Sequence, residues 1–519
     1  MKSVATRKFA SDELVMICSA SFKRCYEDIG VGYIYNTITR KEQYLDHNAT
    51  ALLKLIERWP KAIRSVLSEL DLDHSSNNGG SEIPSTMALL EALEADGYIL
   101  IGDSEIELNA KDPKFHYGVR RKEPTPTKSV KGYLPLTSAA GGFIELFKDH
   151  PRIISFQMEV TSKCNEKCIH CFHPPDWFEF NDLDTGLGLK VLDELRDEGT
   201  LAICFSGGEA FLHKEFDKLL YRARDNDLVI SINTNATFIS DYYIEVLKKV
   251  QPEEVQVSLY SMTPTEHDKI TKVRGSHKRT MDGISRLMKA DIRISISCPV
   301  MQGNKHCYKD VMRWGEQQGV QVRTDFMLFA CTDFDQTNLS NRLSIEDVAG
   351  LIQDTLRYSS TYRNEVGKQE SIVGPLDLVQ KPLCGAGINT LSMDADGNSY
   401  FCPVFRPSVL GNLRNVRLQD VWHQSKPLLE LRKIAWGDFP ECVNCEAFNY
   451  CSMCFARNAN ESDGDHLKVN ENCCEISFLN KRLVEEYRKN TGTNDHSSDT
   501  VSFKVTFKPS SESPFQTQA

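Results

Sequence analysis

The sequence has no surplus of positive charge: 61 Lys and Arg stand against 72 Asp and Glu, a formal net charge of -11. Nucleic acid and anionic lipid surfaces both select for surplus Lys and Arg, so neither is an expected partner. Long apolar runs are missing too. No stretch approaches the ~20 residues that a membrane span needs, and the N-terminal region offers only the short run VMICSASF, preceded by Asp12 and Glu13. Without a secretory signal, the expected compartment is cytoplasmic. At 40% hydrophobic and 26% charged residues, the composition excludes collagen-like and disordered classes.

Cysteine is present in quantity, with 17 residues. Cytosolic thiols stay reduced, so abundance there points to metal or redox chemistry rather than disulfides. Three fall at Cys164, Cys168 and Cys171, and eight lie between Cys384 and Cys474. The scattered Cys18, Cys25, Cys204, Cys298, Cys307 and Cys331 read as packing residues, because a free cysteine behaves as a small hydrophobe.

A chain of 519 residues exceeds one core of the usual size, about 100 to 200 residues per domain. Residues 1–110 hold an aromatic strand, VGYIYNT, and helical stretches at NATALLKLIERW, IRSVLSEL and STMALLEALEADG, the last running into YILIG. This order suggests a winged-helix-like module. Residues 111–150, with RRKEPTPTK, have linker composition. Over 151–360 the runs ISFQMEV, LAICF, LVISI, EVQVSLY, RISISCPV and VQVRTDFML alternate with amphipathic stretches. Six βα units make either an open doubly wound sheet or an incomplete TIM-type barrel, with ligands at the strand C-termini. Ser344 and Asp347 resemble a capping box opening the sixth helix. Residues 361–489 form the cysteine-rich third. In the tail, 490–519, only VSFKVTF alternates like a strand.

The segment EVTSKCNEKCIHCF follows the first expected strand directly. Iron-sulfur clusters normally take four cysteines, so three at this spacing leave one iron without a protein ligand, free to bind a substrate. Structural zinc prefers four closed ligands, and no fourth cysteine lies nearby in sequence. After the second strand comes Ser206-Gly207-Gly208-Glu209, where glycines admit close backbone approach and a carboxylate can hold an amine. The third strand ends in NTNAT, Asn233 to Thr237. Together these motifs closely resemble the radical S-adenosylmethionine (SAM) superfamily. That resemblance implies a partial (β/α)6 barrel of the α/β class and a 4Fe-4S cluster on Cys164, Cys168 and Cys171. It further implies SAM contacts from Gly207, Gly208, Glu209, Asn233, Asn235, Ser258 and Arg274, and a cluster-packing role for the His170 ring.

The C-terminal third reads Cys384, then Gly397, four residues, Cys402, then CVNCEAFNYCSMC and Cys473-Cys474. It resembles the SPASM extension of peptide-modifying radical enzymes, which binds two auxiliary 4Fe-4S clusters. Carried over by position, Cys384, Cys402 and Cys454 hold the first. Cys442, Cys445 and Cys451, with Cys473 or Cys474, hold the second. The first set is one ligand short.

The N-terminal module resembles the peptide-recognition domain of ribosomal natural-product pathways, which adds a leader peptide as a strand beside its own sheet. The implied activity is a peptide maturase installing a cross-link, most simply a Cys thioether, on a leader-bearing precursor. A flavodoxin- or ferredoxin-like protein would supply electrons. Carbon-carbon cross-linking is the nearest alternative. Epimerisation needs a hydrogen-donating cysteine such as Cys298, Cys307 or Cys331. A formylglycine maturase of the sulfatase type is disfavoured because Pro403 stands where that group has a basic Asp. An iron-sulfur electron carrier or a redox regulator is the non-enzymatic alternative. A DNA-binding role is disfavoured because STMALLEALEADG carries three acids and no base.

Overall fold

The computed structural model describes residues 13–74, 83–113, 133–134, 142–174, 181–358 and 379–491. The chain divides into two compact units, one of residues up to 136 with 227–229, the other of the remainder.

The first unit runs β1 (Leu14–Ile17), β2 (Ser21–Tyr26), β3 (Val31–Asn36), β4 (Glu42–Leu45), α1 (His47–Leu55), β5 (Lys61–Ala62), α2 (Ile63–His74), α3 (Ile83–Ala95), β6 (Ile99–Gly102), a helix over Glu105–Lys111 and β7 (Tyr133–Leu134). Two antiparallel sheets form, ordered β5-β1-β6 and β2-β3-β4-β7. Asp46 starts α1 by accepting the Ala49 amide at 2.9 Å, leaving the Leu52-Leu53 side to the interior. Val15, Ile17, Ile34, Leu45, Leu52, Leu53, Val66, Leu90, Leu93, Ile99 and Ile101 make one buried core. The three helices, the aromatic strand and the YILIG strand fall where the sequence places them. β1 and β2 go beyond that reading, and so does β7, which closes a sheet edge from inside the expected linker. RRKEPTPTK lies outside the described residues.

The second unit carries six barrel strands: β8 (Ser155–Glu159), β9 (Ala202–Ser206), β10 (Val229–Thr234), β11 (Glu254–Ser258), β12 (Ile294–Ser297) and β13 (Gln321–Arg323). They stand side by side in sequence order, and the pairings β8-β9, β10-β11, β11-β12 and β12-β13 are parallel. Registered neighbours share a face. Phe156 with Ile203, Met158 with Phe205, and Ile232 with Val255 and Ile294 give an apolar face. The other face carries Gln157 with Cys204, Glu159 with Ser206, Asn233 with Gln256 and Ser295, and Ser258 with Ser297 and Arg323. In a βα barrel the helices cover the outside, so this polar face is the lumen. A closed barrel fills its lumen with Val, Ile and Leu; this one is lined largely with polar side chains.

Ser344 Oγ accepts the Asp347 amide at 3.2 Å, one half of the expected capping box. The Asp347 carboxylate turns instead to Lys305 Nζ at 2.6 Å and Gln302 Nε2 at 3.1 Å.

The sheet does not stop at the barrel. β14 (Thr390–Met393) pairs parallel to β8, and β15 (Asn398–Tyr400) and β16 (Gly411–Asn412) continue antiparallel, giving nine strands. Gly397 makes the β14-β15 turn at φ +87°, and Asp394 Oδ1 accepts the amides of Asp396 and Asn398 there. That turn sets Cys402 just past the end of β15. The division expected near residue 360 falls among undescribed residues. The tail with VSFKVTF lies outside the description as well.

Candidate active site and iron-sulfur ligands

Cys164, Cys168 and Cys171 lie on the loop leaving β8, at the strand C-terminal end. The loop is tied down on three sides. The amides of Gly208 and Glu209 donate to the carbonyls of Thr161 and Lys163, both at 2.8 Å. The amides of Lys167 and Ile169 donate to Thr271 and Ile270. Asn165 donates to Thr237 Oγ1 and accepts from Asn235 Nδ2, both at 2.9 Å. The two glycines are sterically required. A Cβ on Gly207, whose φ is +137°, would stand 2.3 Å from the Thr161 carbonyl oxygen, and one on Gly208 would stand 2.3 Å from that of Lys163.

Burial pushes the thiols of Cys164 and Cys171 up to about 12 and about 11, and that of Cys168 well above its ordinary value. Thiols of this kind ionise when a metal displaces the proton. Among the described residues no three His, Cys, Asp or Glu side chains lie close enough to share a single metal ion; a four-iron cluster is larger and spaces its thiolates more widely. Tyr260 Oη lies 3.7 Å from Cys168 Sγ, and the His170 ring meets Tyr260 edge-on at 4.9 Å. Burial pulls His170 down to about 4, so it stays neutral at pH 7.

Glu209 is 1% exposed. Its carboxylate accepts from Thr234 Oγ1 at 2.6 Å and from the amides of Asn235 at 2.7 Å and Phe211 at 3.2 Å, bracketing the end of β10 to the end of β9. Asn233 Oδ1 accepts from Gln256 Nε2 at 3.4 Å in the lumen, and Ser258 closes β11. Arg274 is exposed, in the turn before the helix Ser276–Lys289. Arg279, on that helix, was not among the sequence candidates. It faces Glu166, a 3% exposed carboxyl between the first two cysteines that burial and Glu209 push up to about 8. No spacing rule marks either residue.

The C-terminal cysteines gather in two sets. Cys402 lies near Cys454 and Cys384, and Cys442 lies near Cys451, Cys474 and Cys445. Burial raises all the thiols for which a shift is resolved, Cys442 and Cys473 to about 12. Both members of the adjacent pair border Cys451; Cys474 also faces Cys445, and Cys473 faces Cys454. The scattered Cys298 and Cys307 are buried, and Cys331 Sγ lies 3.7 Å from the Cys171 carbonyl.

Against protein-family models, residues 158–315 match the radical SAM superfamily and residues 384–454 match the SPASM iron-sulfur cluster-binding domain. The chain carries a radical SAM domain followed by a SPASM domain. A radical SAM domain uses a 4Fe-4S cluster and SAM, and a SPASM domain adds auxiliary clusters. Among the relatives of this radical SAM–SPASM protein, an AdoMet-dependent heme synthase of Nitratidesulfovibrio vulgaris is 24% identical over 63% of this chain and 92% of its own length. A PqqA peptide cyclase of Xanthomonas oryzae is 23% identical over 57% of this chain and 80% of its own. Streptococcus suis SuiB, solved bound to its precursor peptide SuiA, shares the fold at a TM-score of 0.60 and 16% identity, covering 86% of this chain and 97% of that one. No helix among the described residues is long and apolar enough to cross a membrane.

Proposed function

We propose that this radical SAM–SPASM protein matures a ribosomally made precursor peptide by installing a cross-link, most simply a Cys thioether. One observation carries the reading: the fold likeness to SuiB reaches 86% of the chain, more than the residues after 136 can supply, so it extends into the N-terminal unit. The alignment with the heme synthase relative takes in 63% of this chain and 92% of that protein. In this reading the N-terminal sheets receive the leader as an added strand, and the core peptide enters the polar lumen.

Cys164, Cys168 and Cys171 hold the catalytic cluster. Gly207, Gly208 and Glu209 shape the pocket for the methionine end of SAM, with Asn233, Asn235 and Ser258 along the nucleoside and Arg274 or Arg279 at the carboxylate. SAM bound at that cluster would supply radical chemistry able to remove one hydrogen atom from the peptide. Cys384, Cys402 and Cys454 hold one auxiliary cluster, and Cys442, Cys445, Cys451 and Cys474 the other. A thioether also needs the thiol proton released and a second electron removed, and the auxiliary clusters are the electron's destination within the chain. A flavodoxin- or ferredoxin-like donor completes the cycle.

The test is anaerobic reconstitution of the full chain with iron, sulfide, SAM and dithionite, followed by chromatography for 5'-deoxyadenosine. It is paired with co-expression of a short, cysteine-bearing neighbouring reading frame and mass spectrometry. A peptide lighter by two hydrogens per site supports the cross-link. An unaltered peptide together with turnover of an iron porphyrin overturns it in favour of the chemistry named for the heme synthase relatives.

A further inference from the structure

Arg457 is 1% exposed, on the helix Phe455–Asn460 that begins directly after Cys454. Its Nη2 donates to Asn472 Oδ1 at 2.8 Å, and Asn472 is the residue before Cys473. The guanidinium is thereby pinned between two cysteine-bearing segments. Its Nε has no hydrogen bond among the described residues. The nearest carboxylate oxygen, Glu461 Oε1, is 3.6 Å from that nitrogen, beyond hydrogen-bond range.

Glu461 is already committed. Arg342 grips both its oxygens, Nη1 to Oε2 at 3.0 Å and Nη2 to Oε1 at 2.6 Å. A buried and a half-buried guanidinium therefore share one carboxylate. The other acid facing Arg457 is Asp325, whose carboxylate is already engaged by the amides of Met327 and Phe326. A buried cation without an adequate counter-ion is costly, so this one calls for an anion nearby. Its helix starts at Cys454 and its hydrogen-bond partner directly precedes Cys473, so the guanidinium stands beside the thiols of both segments. A cluster held by thiolates is anionic, and each added electron makes it more so.

We propose that Arg457 is the buried counter-cation of the auxiliary cluster ligated through Cys451 and its neighbours, and that it raises that cluster's reduction potential. This rests on the ligand reading given above. A fixed positive charge in a low-dielectric site stabilises the reduced, more negative state more than the oxidised one. Arg457 acts through the cluster and is a positioning residue. Its effect is to make the auxiliary cluster a better electron acceptor than its thiolates alone would make it.

The experiment is a redox titration followed by electron paramagnetic resonance on the anaerobically reconstituted full chain, without substrate. Wild type, Arg457→Gln, Arg457→Lys and Glu461→Gln are compared after iron and sulfide analysis. Arg457→Gln should lower the auxiliary midpoint by a tenfold change in the reduction equilibrium or more, which is about 59 mV for one electron. Arg457→Lys should restore most of it. Glu461→Gln removes the competing anion and should move the midpoint the other way. The signal that responds to added SAM should keep its potential throughout. Full iron content with an unmoved midpoint in Arg457→Gln overturns the proposal, and so does an unmoved midpoint in Glu461→Gln should Arg457→Gln lose iron. Wild-type protein that takes up only one cluster's worth of iron sinks the ligand reading instead.

Discussion

Arg406 grips Glu159 through both carboxylate oxygens, its Nη2 lying 2.6 Å from Oε1 and 2.7 Å from Oε2, with neither side chain more than 9% exposed. Glu159 ends β8, five residues before Cys164, and Arg406 follows Cys402 by four. The guanidinium also stacks over the Tyr400 ring at 5.0 Å, and its Nε donates to the Pro403 carbonyl at 3.1 Å. One ion pair thus fixes the root of the first cysteine loop to the loop of Cys402. Removing one partner of a buried pair leaves the other charge stranded, at a cost of about 3–5 kcal/mol. Arg406→Met should lower the unfolding free energy of the second unit by that amount in chemical denaturation. Adding Glu159→Gln should recover much of the loss, because Glu159 is then no longer a stranded charge and Asp394, 4.0 Å from Arg406 Nη1, keeps its hydrogen bonds from Asp396, Asn398 and Tyr400. Equal losses in the single and double variants would mean that shape, and not charge, is what Arg406 contributes.

The Gly207-Gly208 pair makes a prediction separable from folding of the cysteine-rich third. Alanine at 208 places a methyl 2.3 Å from the Lys163 carbonyl, and Lys163 adjoins Cys164. The backbone is the obstacle, so no side-chain rotation relieves it. Gly208→Ala should lose iron from the catalytic cluster, and with it the spectral change on SAM addition, while auxiliary iron stays. Iron per chain and paramagnetic resonance with and without SAM are the readouts. Retained SAM response would show that the loop can shift without loss.

Much of this was legible because the carrying signals are local. The three-cysteine spacing, the glycine pair and the six β-branched runs each sit within a few residues, and each falls where the chain order puts it. Contacts made at long separation were not legible. Arg406 and Glu159 are 247 positions apart, and nothing in either's neighbourhood names the other. β14 joining β8, and Tyr133–Leu134 closing the β4 edge, are pairings between segments that alternation alone cannot match up. The role of Glu209 was half visible: the motif marks the residue, while only the fold shows its carboxylate engaged by the end of β10. Arg274 and Arg279 illustrate the converse: both are exposed basic residues near the right turn, and only the fold shows that Arg279 is the one facing Glu166.

Asp325 gives a pH dependence of stated sign. Burial raises its carboxyl from an ordinary 3.8 to about 6, against the pull of Arg457 and the amides of Met327 and Phe326. The folded state therefore holds a proton that the unfolded state has released. Stability contributed by this group falls as pH rises from the unfolded value toward and past 6. Between pH 5 and 7.5 the loss should be on the order of 1 kcal/mol, since one unit is worth about 1.4 kcal/mol. Asp325→Asn should flatten that part of the stability profile in denaturant titrations. A profile equally steep in the variant would assign the slope to another acid.

Glu209 can be tested as a bracket rather than as a contact alone. All three of its partners donate: Thr234 Oγ1 at 2.6 Å and the amides of Asn235 at 2.7 Å and Phe211 at 3.2 Å. A glutamine there must turn its own NH2 toward a donor, leaving a buried clash of like dipoles at a cost of about 1–3 kcal/mol. Thr234→Val removes one charge-assisted bond and leaves the acid in place, so it should cost a similar amount by itself. If the bracket holds the end of β10 for SAM, both variants should weaken SAM binding in equilibrium dialysis of the reconstituted protein, although Thr234 is not among the residues assigned to SAM. If Glu209 serves only as a direct ligand, Glu209→Gln should weaken binding, whereas Thr234→Val, which leaves the acid in place and leaves Oε1 with only the 3.2 Å Phe211 amide, should bind SAM as wild type does or better.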